Sequence, residues 1–128
     1  MKALLDTHTF LWWVTNNPQL SLTIRSIIAD RNNQIFFSVA SGWEIAIKAQ
    51  LGKLQLPDQL ELFLTNQLTV NSFVLLPIQL NHALYTYQLS NHHKDPFDRI
   101  LVAQSQVENL PIMTLDSKIA QYGVTVLW

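Results

Sequence analysis

An α/β domain built on a mainly parallel five-stranded sheet, with helices on both faces, is the fold class this sequence predicts. Three observations predict it. Short apolar runs alternate with helix-sized segments along the whole chain, turn and cap residues separate them, and no repeat, low-complexity tract or Gly/Ser linker divides the 128 residues. Strands separated by helices join through right-handed crossovers, which makes neighbouring strands parallel and covers both faces of the sheet. One domain over residues 1–128 is expected. A chain of this size buries roughly two thirds of the surface its unfolded form exposes, enough for a core without disulfides or a structural metal.

Lys2 to Asp6 is a short apolar run ending in an acid and reads as the first strand. Thr7 to Asn16, carrying Leu11, Trp12 and Trp13, is helix-sized and closes at Asn17-Pro18. Adjacent residues point apart, so one of Trp12 and Trp13, not both, is expected in the core. Ser21 caps a second helix through Leu22, Ile24, Ile27 and Ile28, and Arg31-Asn32-Asn33 turns the chain into a buried strand from Gln34 to Ser38. Val39 to Leu51 is helical in pattern with Gly52 as its stop, Pro57-Asp58 opens a helix to about Gln67, and Ser72 to Leu76 is a third strand. A helix around Asn81 to Leu89 follows. Asp95-Pro96 is a helix start, an acidic N-cap before proline at the first helical position, leading into Ile100 to Glu108. Pro111 to Thr114 is the fourth strand, Asp116-Ser117 begins a short helix that Gly123 ends, and Val124 to Leu127 is the last strand.

Composition removes several classes. Zero cysteine excludes disulfide scaffolds, thiolate zinc sites and cysteine nucleophiles. No run approaches the ~18 apolar residues needed to span a bilayer, and Asp6 interrupts the N-terminal stretch that resembles a signal-peptide core, so no membrane role and a cytoplasmic location are expected. Only 13% of residues are charged, while Asn and Gln supply 20 neutral amides and 48% of residues are hydrophobic. Such a surface suits cover by a partner or a second copy, although neutral amides alone keep a monomer soluble. A net charge of −1 argues against a broad basic face for duplex nucleic acid.

In open parallel sheets chemistry sits beyond the carboxyl ends of the strands, near the switch in strand order. Three of the nine acids fall where this rule points: Asp6 after the first strand, Asp98 at a helix start and Asp116 after the fourth strand. Each also has a local reading. Asp6 and Asp116 fit ordinary N-caps, and Asp98 fits a third helical residue paired reciprocally with the Asp95 cap. Glu44 is harder to explain locally, because it lies inside the apolar stretch Gly42-Trp43-Glu44-Ile45-Ala46-Ile47 and its i+4 pair with Lys48 is worth only a few tenths of a kcal/mol. Carboxylates converging on one pocket repel unless a divalent cation neutralises them. Oxygen-only donors favour a hard ion, Mg2+ or Mn2+, which activates water and stabilises a departing oxyanion, so phosphodiester hydrolysis is the natural reaction class.

Four fragments carry a resemblance. They are Leu4-Leu5-Asp6-Thr7-His8, Ser38 to Lys48 with Leu51-Gly52-Lys53-Leu54 behind it, His93-Lys94-Asp95-Pro96-Phe97-Asp98-Arg99-Ile100-Leu101, and Thr114-Leu115-Asp116. In this order and spacing the chain resembles the PIN-domain endoribonucleases of the VapC type, the toxins of type II toxin-antitoxin pairs, over nearly its whole length. The resemblance implies a Rossmann-like PIN fold, catalytic acids at Asp6, Glu44, Asp98 and Asp116, Mg2+ or Mn2+ as cofactor, and RNA as substrate. It also implies a homodimer and a protein antitoxin. Asp6 and Asp98 correspond to the metal ligands, and Glu44 and Asp116 to acids that act directly or through metal-bound water. Asp95 belongs to the same run, but its N-cap role suffices.

Other residues near these fragments have two readings each. His8, His92 and His93 lie close to Asp6 and Asp95, where they touch a phosphate or act as an acid, or are simply solvated in loops, which base rates favour. Arg99 binds phosphate, steadies the acids, or pairs with Asp95 at the surface. Thr114 orients Asp116 or a water, or is an ordinary strand-end threonine. Lys48 and Lys53 line an RNA path or face water, and Trp12, Trp13, Trp43 and Phe36-Phe37 stack bases, bury an antitoxin peptide or fill the core. Two other functions compete with the nuclease. A phosphorylated receiver-type domain wants a lysine at the end of its last strand, where this chain has Thr125-Val126-Leu127-Trp128. A catalytically silent RNA- or protein-binding module of the same fold is the alternative if the acids do not converge.

Overall fold

The computed structural model describes residues 1–57 and 59–128. The chain runs β1 (Lys2–Leu5), α1 (Thr7–Val14), α2 (Leu22–Ala29), β2 (Gln34–Ser38), α3 (Val39–Gln50), α4 (Leu60–Val70), β3 (Val74–Leu76) and α5 (Leu80–Tyr85). It continues through a 3-10 turn (Thr86–Gln88), α6 (Pro96–Glu108), β4 (Ile112–Met113), α7 (Ser117–Ala120) and β5 (Val126–Leu127). The described strands form one sheet in the order β3-β2-β1-β4-β5. Every pairing is parallel, so the expected doubly wound architecture is the one observed.

The pleat explains how one sheet carries two cores. Successive side chains of a strand point to opposite faces. Ala3 and Leu5 of β1 join Phe10, Ile24, Ile35, Phe37, Ile45 and Met113 on one side, whereas Leu4 joins Leu101, Val102, Ile112 and Ile119 on the other. Phe36 and Phe37 divide in the same way: Phe37 is buried in the first cluster and Phe36 packs partly buried against the second. Trp12 and Trp13 depart from expectation. Both are half-buried against the first cluster. The Trp13 indole N–H donates to Asn71 Oδ1 at 2.9 Å, and Trp12 meets Trp128 edge-on at 5.9 Å. Their large rings reach the core edge from neighbouring positions, which a face-by-face count does not capture.

Element starts follow local chemistry. Asp6, Ser21, Ser38, Asp95 and Asp116 each cap a helix with a side-chain oxygen that accepts a backbone N–H. Gly52 and Gly123 take left-handed backbone, φ +72° and +75°, where the chain leaves α3 and α7. Strand lengths are where the sequence reading overshoots. β3, β4 and β5 are only two or three residues long, because apolar residues flanking a short strand also fill the core from loops. The helix read from Asn81 to Leu89 starts at Leu80 and tightens into the 3-10 turn. The Pro57-Asp58 helix start falls partly on Asp58, which lies outside the described residues; α4 begins at Leu60.

One buried polar contact ties the two sides of the sheet together. Gln104 of α6 is fully buried; its Oε1 accepts from Ser38 Oγ at 2.6 Å, and its Nε2 donates to the Pro77 carbonyl at 3.2 Å. Ser38 is also the N-cap of α3, so this amide holds α6 against the start of α3. Gln104→Leu removes both bonds and strands their partners in an apolar setting. The expected loss is about 1–3 kcal/mol, read as a lower urea midpoint with an unchanged slope; an unshifted midpoint contradicts this role.

Candidate active site

The topology brings the four predicted acids to one end of the sheet. β1 is central, paired with β2 on one side and β4 on the other, so the switch in strand order lies between β1 and β4. Leu5 pairs with Met113, and the next residue of β1, Asp6, therefore stands beside Thr114. Thr114 Oγ1 donates to Asp6 Oδ2, and the Thr9 N–H donates to Asp6 Oδ1 at 2.7 Å. Thr114 thus orients Asp6. The same hydroxyl oxygen accepts the Asp116 N–H at 3.0 Å, so it braces the backbone of Asp116 as well.

Glu44 reaches the site from α3. It is buried, and its Oε1 accepts from Thr7 Oγ1 at 2.7 Å, with Ser41 Oγ 2.9 Å from the same threonine oxygen. Its Oε2 pairs with Lys48 Nζ at 2.8 Å. The i+4 pair is therefore real, but it is anchored on a buried acid whose second oxygen faces the start of α1. Asp98 sits in the first turn of α6 and Asp116 caps α7. The capping readings of Asp6 and Asp116 hold and coexist with convergence, since one carboxylate oxygen caps while the other is left for the site. Asp95 caps α6 by accepting the Phe97 N–H at 2.9 Å.

His93 lies between two of the acids and is not a solvated loop residue. Its Nε2 is 2.9 Å from Asp98 Oδ2 and 2.9 Å from Asp116 Oδ2, and the side chain is only 12% exposed. These three ligand-capable atoms lie within 4.8 Å of one another. His8 is exposed as expected, its ring 6.0 Å from that of Trp12. Arg99 neither pairs with Asp95 nor reaches the acids among the described contacts. It donates to the carbonyls of Thr86, Ser90 and His93 and to the Tyr122 hydroxyl, holding the loop that presents His93. The sequence offered no sign of this loop closure, because it depends on residues 86 to 93 folding back over α6.

Electrostatics reflect the crowding. Burial is the largest influence on Asp98, and the charges of Asp95, Glu44, Asp6 and Asp116 add to it, so its carboxyl is pushed up to about 8. Asp6 is raised as well: burial outweighs the hydrogen bonds from Thr114 and Thr9 and the neighbouring His8 charge. Such a set fits a hard divalent cation, whose charge offsets the cost of burying these carboxylates and, at Asp98, the repulsion added to it. Beside Asp6 and Asp116 lies a pocket of about 310 Å³ walled by His8, Trp12 and Leu115. From Glu44 a second cleft of about 460 Å³ runs between Lys48, Lys53 and Lys94, of which Lys94 was not anticipated.

A model of the PIN domain family matches residues 3–124. The fold superposes on a chain of DNA-bound VapBC from Salmonella typhimurium with a TM-score of 0.73 at 17% identity, covering 99% of this chain and 97% of that one. It also superposes on a chain of Rickettsia felis VapBC2, bound to a DNA fragment from their promoter, with a TM-score of 0.72 at 14% identity over 99% and 98% of the two chains. For VapBC-1 from nontypeable Haemophilus influenzae the TM-score is 0.69 at 17% identity, over 99% and 97%. These likenesses show a shared fold. No curated protein sequence matches.

The pH dependence of the metal-free protein tests the electrostatics. Asp98 has a folded value raised from 3.8 to about 8, so its contribution to stability is full below about pH 4 and is lost as pH rises toward 8. Asp98→Asn removes that loss. The variant is expected to melt higher than the unsubstituted protein at pH 8 and to show little advantage at pH 4, in thermal scans with EDTA; equal melting at pH 8 contradicts a crowded, buried Asp98.

Proposed function

This chain belongs to the PIN domain family, and we propose that it is the toxin of a type II toxin-antitoxin pair, a divalent-metal-dependent endoribonuclease that hydrolyses RNA phosphodiester bonds. One PIN domain, residues 1–128, carries the activity in this proposal, and the cytoplasm, where RNA is abundant, is its place of action. The observation that carries the reading is the convergence of Asp6, Glu44, Asp98 and Asp116 at the carboxyl end of β1 and β4, where burial first, and the charges of Asp95, Glu44, Asp6 and Asp116 after it, push the Asp98 carboxyl up to about 8. Structural ion networks are made of opposite charges; a buried set of like charges is a cost that a cation relieves.

Asp6 and Asp98 are the ligands this reading assigns first, with Glu44 and Asp116 beside them. Mg2+ suits their hard oxygen donors, and Mn2+ is an alternative that also accepts nitrogen. When bound, the cation supplies charge on the phosphodiester and makes water a nucleophile at neutral pH. The chain's own residues do the rest. Thr9 and Thr114 fix the rotamer of Asp6, Thr7 and Lys48 fix that of Glu44, and the burial of both acids excludes the bulk water that would screen them. Lys48, Lys53 and Lys94 offer cationic contacts to a phosphate chain leaving the acids.

An antitoxin and a second copy of the chain are the partners. Support comes from the surface: Trp43 is 60% exposed, Leu80 73%, Leu84 64% and Tyr87 94%. An apolar crevice of about 250 Å³ lies between Ala40, Trp43, Ala83, Phe97 and Ile100. Among the described residues no helix is long and apolar enough to cross a membrane.

RNA cleavage tests the proposal. Cleavage of a mixed RNA panel is expected with Mg2+ or Mn2+ and is absent with EDTA. Asp6→Asn and Asp98→Asn each lower it by at least the about 10- to 100-fold that changes behind a metal site cause, while the circular dichroism spectrum is retained. Full activity in both folded variants sinks the reading, and a folded, metal-bound protein that cleaves nothing favours a silent binding module.

A further inference from the structure

His93 is a chargeable side chain set between two of the acids that the four-acid scheme leaves without a role. Its chemistry can be read from both ring nitrogens. Nδ1 lies 3.2 Å from the Asp95 backbone nitrogen and accepts its N–H. A nitrogen that accepts carries a lone pair and no proton, so the ring proton is on Nε2. Nε2 faces Asp98 Oδ2 and Asp116 Oδ2 at 2.9 Å each; it donates its proton to Asp116, with Asp98 in contact beside it, and has no lone pair to offer. Histidines that ligate metals show the opposite arrangement, donating from the second nitrogen to a carbonyl or carboxylate. Here the second nitrogen meets a donor.

The loop is built to keep the ring in this orientation. The His93 N–H donates to the Tyr122 hydroxyl at 2.8 Å. Arg99 donates to that same hydroxyl at 3.1 Å and to the Ser90 and Thr86 carbonyls at 3.0 and 2.9 Å. The imidazole is thus held by the caps of α6 and α7, Asp95 and Asp116, and its backbone by Tyr122 and Arg99.

We propose that His93 is a positioning residue that holds the Asp116 carboxylate beside that of Asp98 for a divalent cation, by donating its Nε2–H to Asp116 while the same nitrogen sits against Asp98 Oδ2, and that it does not itself ligate the cation. The inference rests on the metal-site reading above and goes beyond it by assigning a residue outside the acids. Lost with His93 is the donor that fixes Asp116 against Asp98, so affinity for the cation falls although no ligand has been removed.

Three readouts test it. In metal-free, 15N-labelled protein, long-range 1H–15N spectra are expected to show His93 as the Nε2–H tautomer; the Nδ1–H tautomer overturns the proposal. In the Mn2+-loaded protein, pulsed EPR is expected to show no nitrogen coupling that disappears in His93→Gln; such a coupling makes His93 a ligand and overturns the proposal while leaving the metal site intact. Mn2+ affinity is expected to fall about 10- to 100-fold in His93→Ala and to recover most of that in His93→Gln, whose amide N–H keeps a donor at similar reach. Tyr122→Phe, which frees the loop without touching the ring, gives a smaller loss. Equal weakening by Ala and Gln overturns the donor role, and no Mn2+ binding by the unsubstituted protein overturns the metal-site reading itself.

Discussion

Like charges held close together in a partly dry site are the constraint around which this end of the molecule is arranged. At the β1 and β4 ends, burial first and negatively charged neighbours after it disfavour the ionised form of Asp98, and burial disfavours that of Asp6. Neighbouring donors answer this condition: the Thr9 N–H and the Thr114 hydroxyl donate to Asp6, the Thr7 hydroxyl to Glu44 and the Lys118 N–H to Asp116. Among the described residues no buried side-chain nitrogen or oxygen lacks a partner. The site is costly in charge but complete in hydrogen bonds.

Helix capping and site construction are the same act here. An N-cap side chain turns one oxygen toward the exposed N–H groups of its helix, and the positive end of the helix favours a carboxylate there. Asp6 and Asp116 use one oxygen in this way. Their second oxygens meet Thr114 and His93. Removing such an acid therefore acts on two levels, loosening a helix start while relieving repulsion, and the two contributions to stability have opposite signs. Sites built against stability in this manner are the usual locations of a trade-off between stability and activity.

The same helices that carry the acids also build the apolar surface. Trp43 is the residue before Glu44 and Phe97 the residue before Asp98, and their rings meet edge-on at 5.1 Å. The crevice beside them is walled by α3, α5 and α6. Contact on this surface bears directly on two helices whose next residues point into the acid cluster. Gln104, further along the same helix as Asp98, fixes the relative position of those helices through Ser38. Surface and site are thus joined through a short stretch of rigid structure.

Local chemistry made much of this legible from the sequence. The period of the apolar residues and the caps at Asp6, Ser21, Asp95 and Asp116 identify the order of strands and helices, and the rule for parallel sheets points to Asp6, Asp98 and Asp116 before any coordinates. Glu44 was legible because a charge inside an apolar helix needs a reason. These signals are short-range, carried by residues within a few positions of one another. What only the tertiary structure decided is long-range: Thr114 turned to Asp6 across the β1–β4 register, Thr7 paired with Glu44, Arg99 spent on holding a loop, and His93 folded back between two carboxylates. No periodicity encodes these contacts. They arise where separate segments meet at the end of the sheet, and there burial and hydrogen-bond geometry decide which of several chemically equal partners a side chain takes.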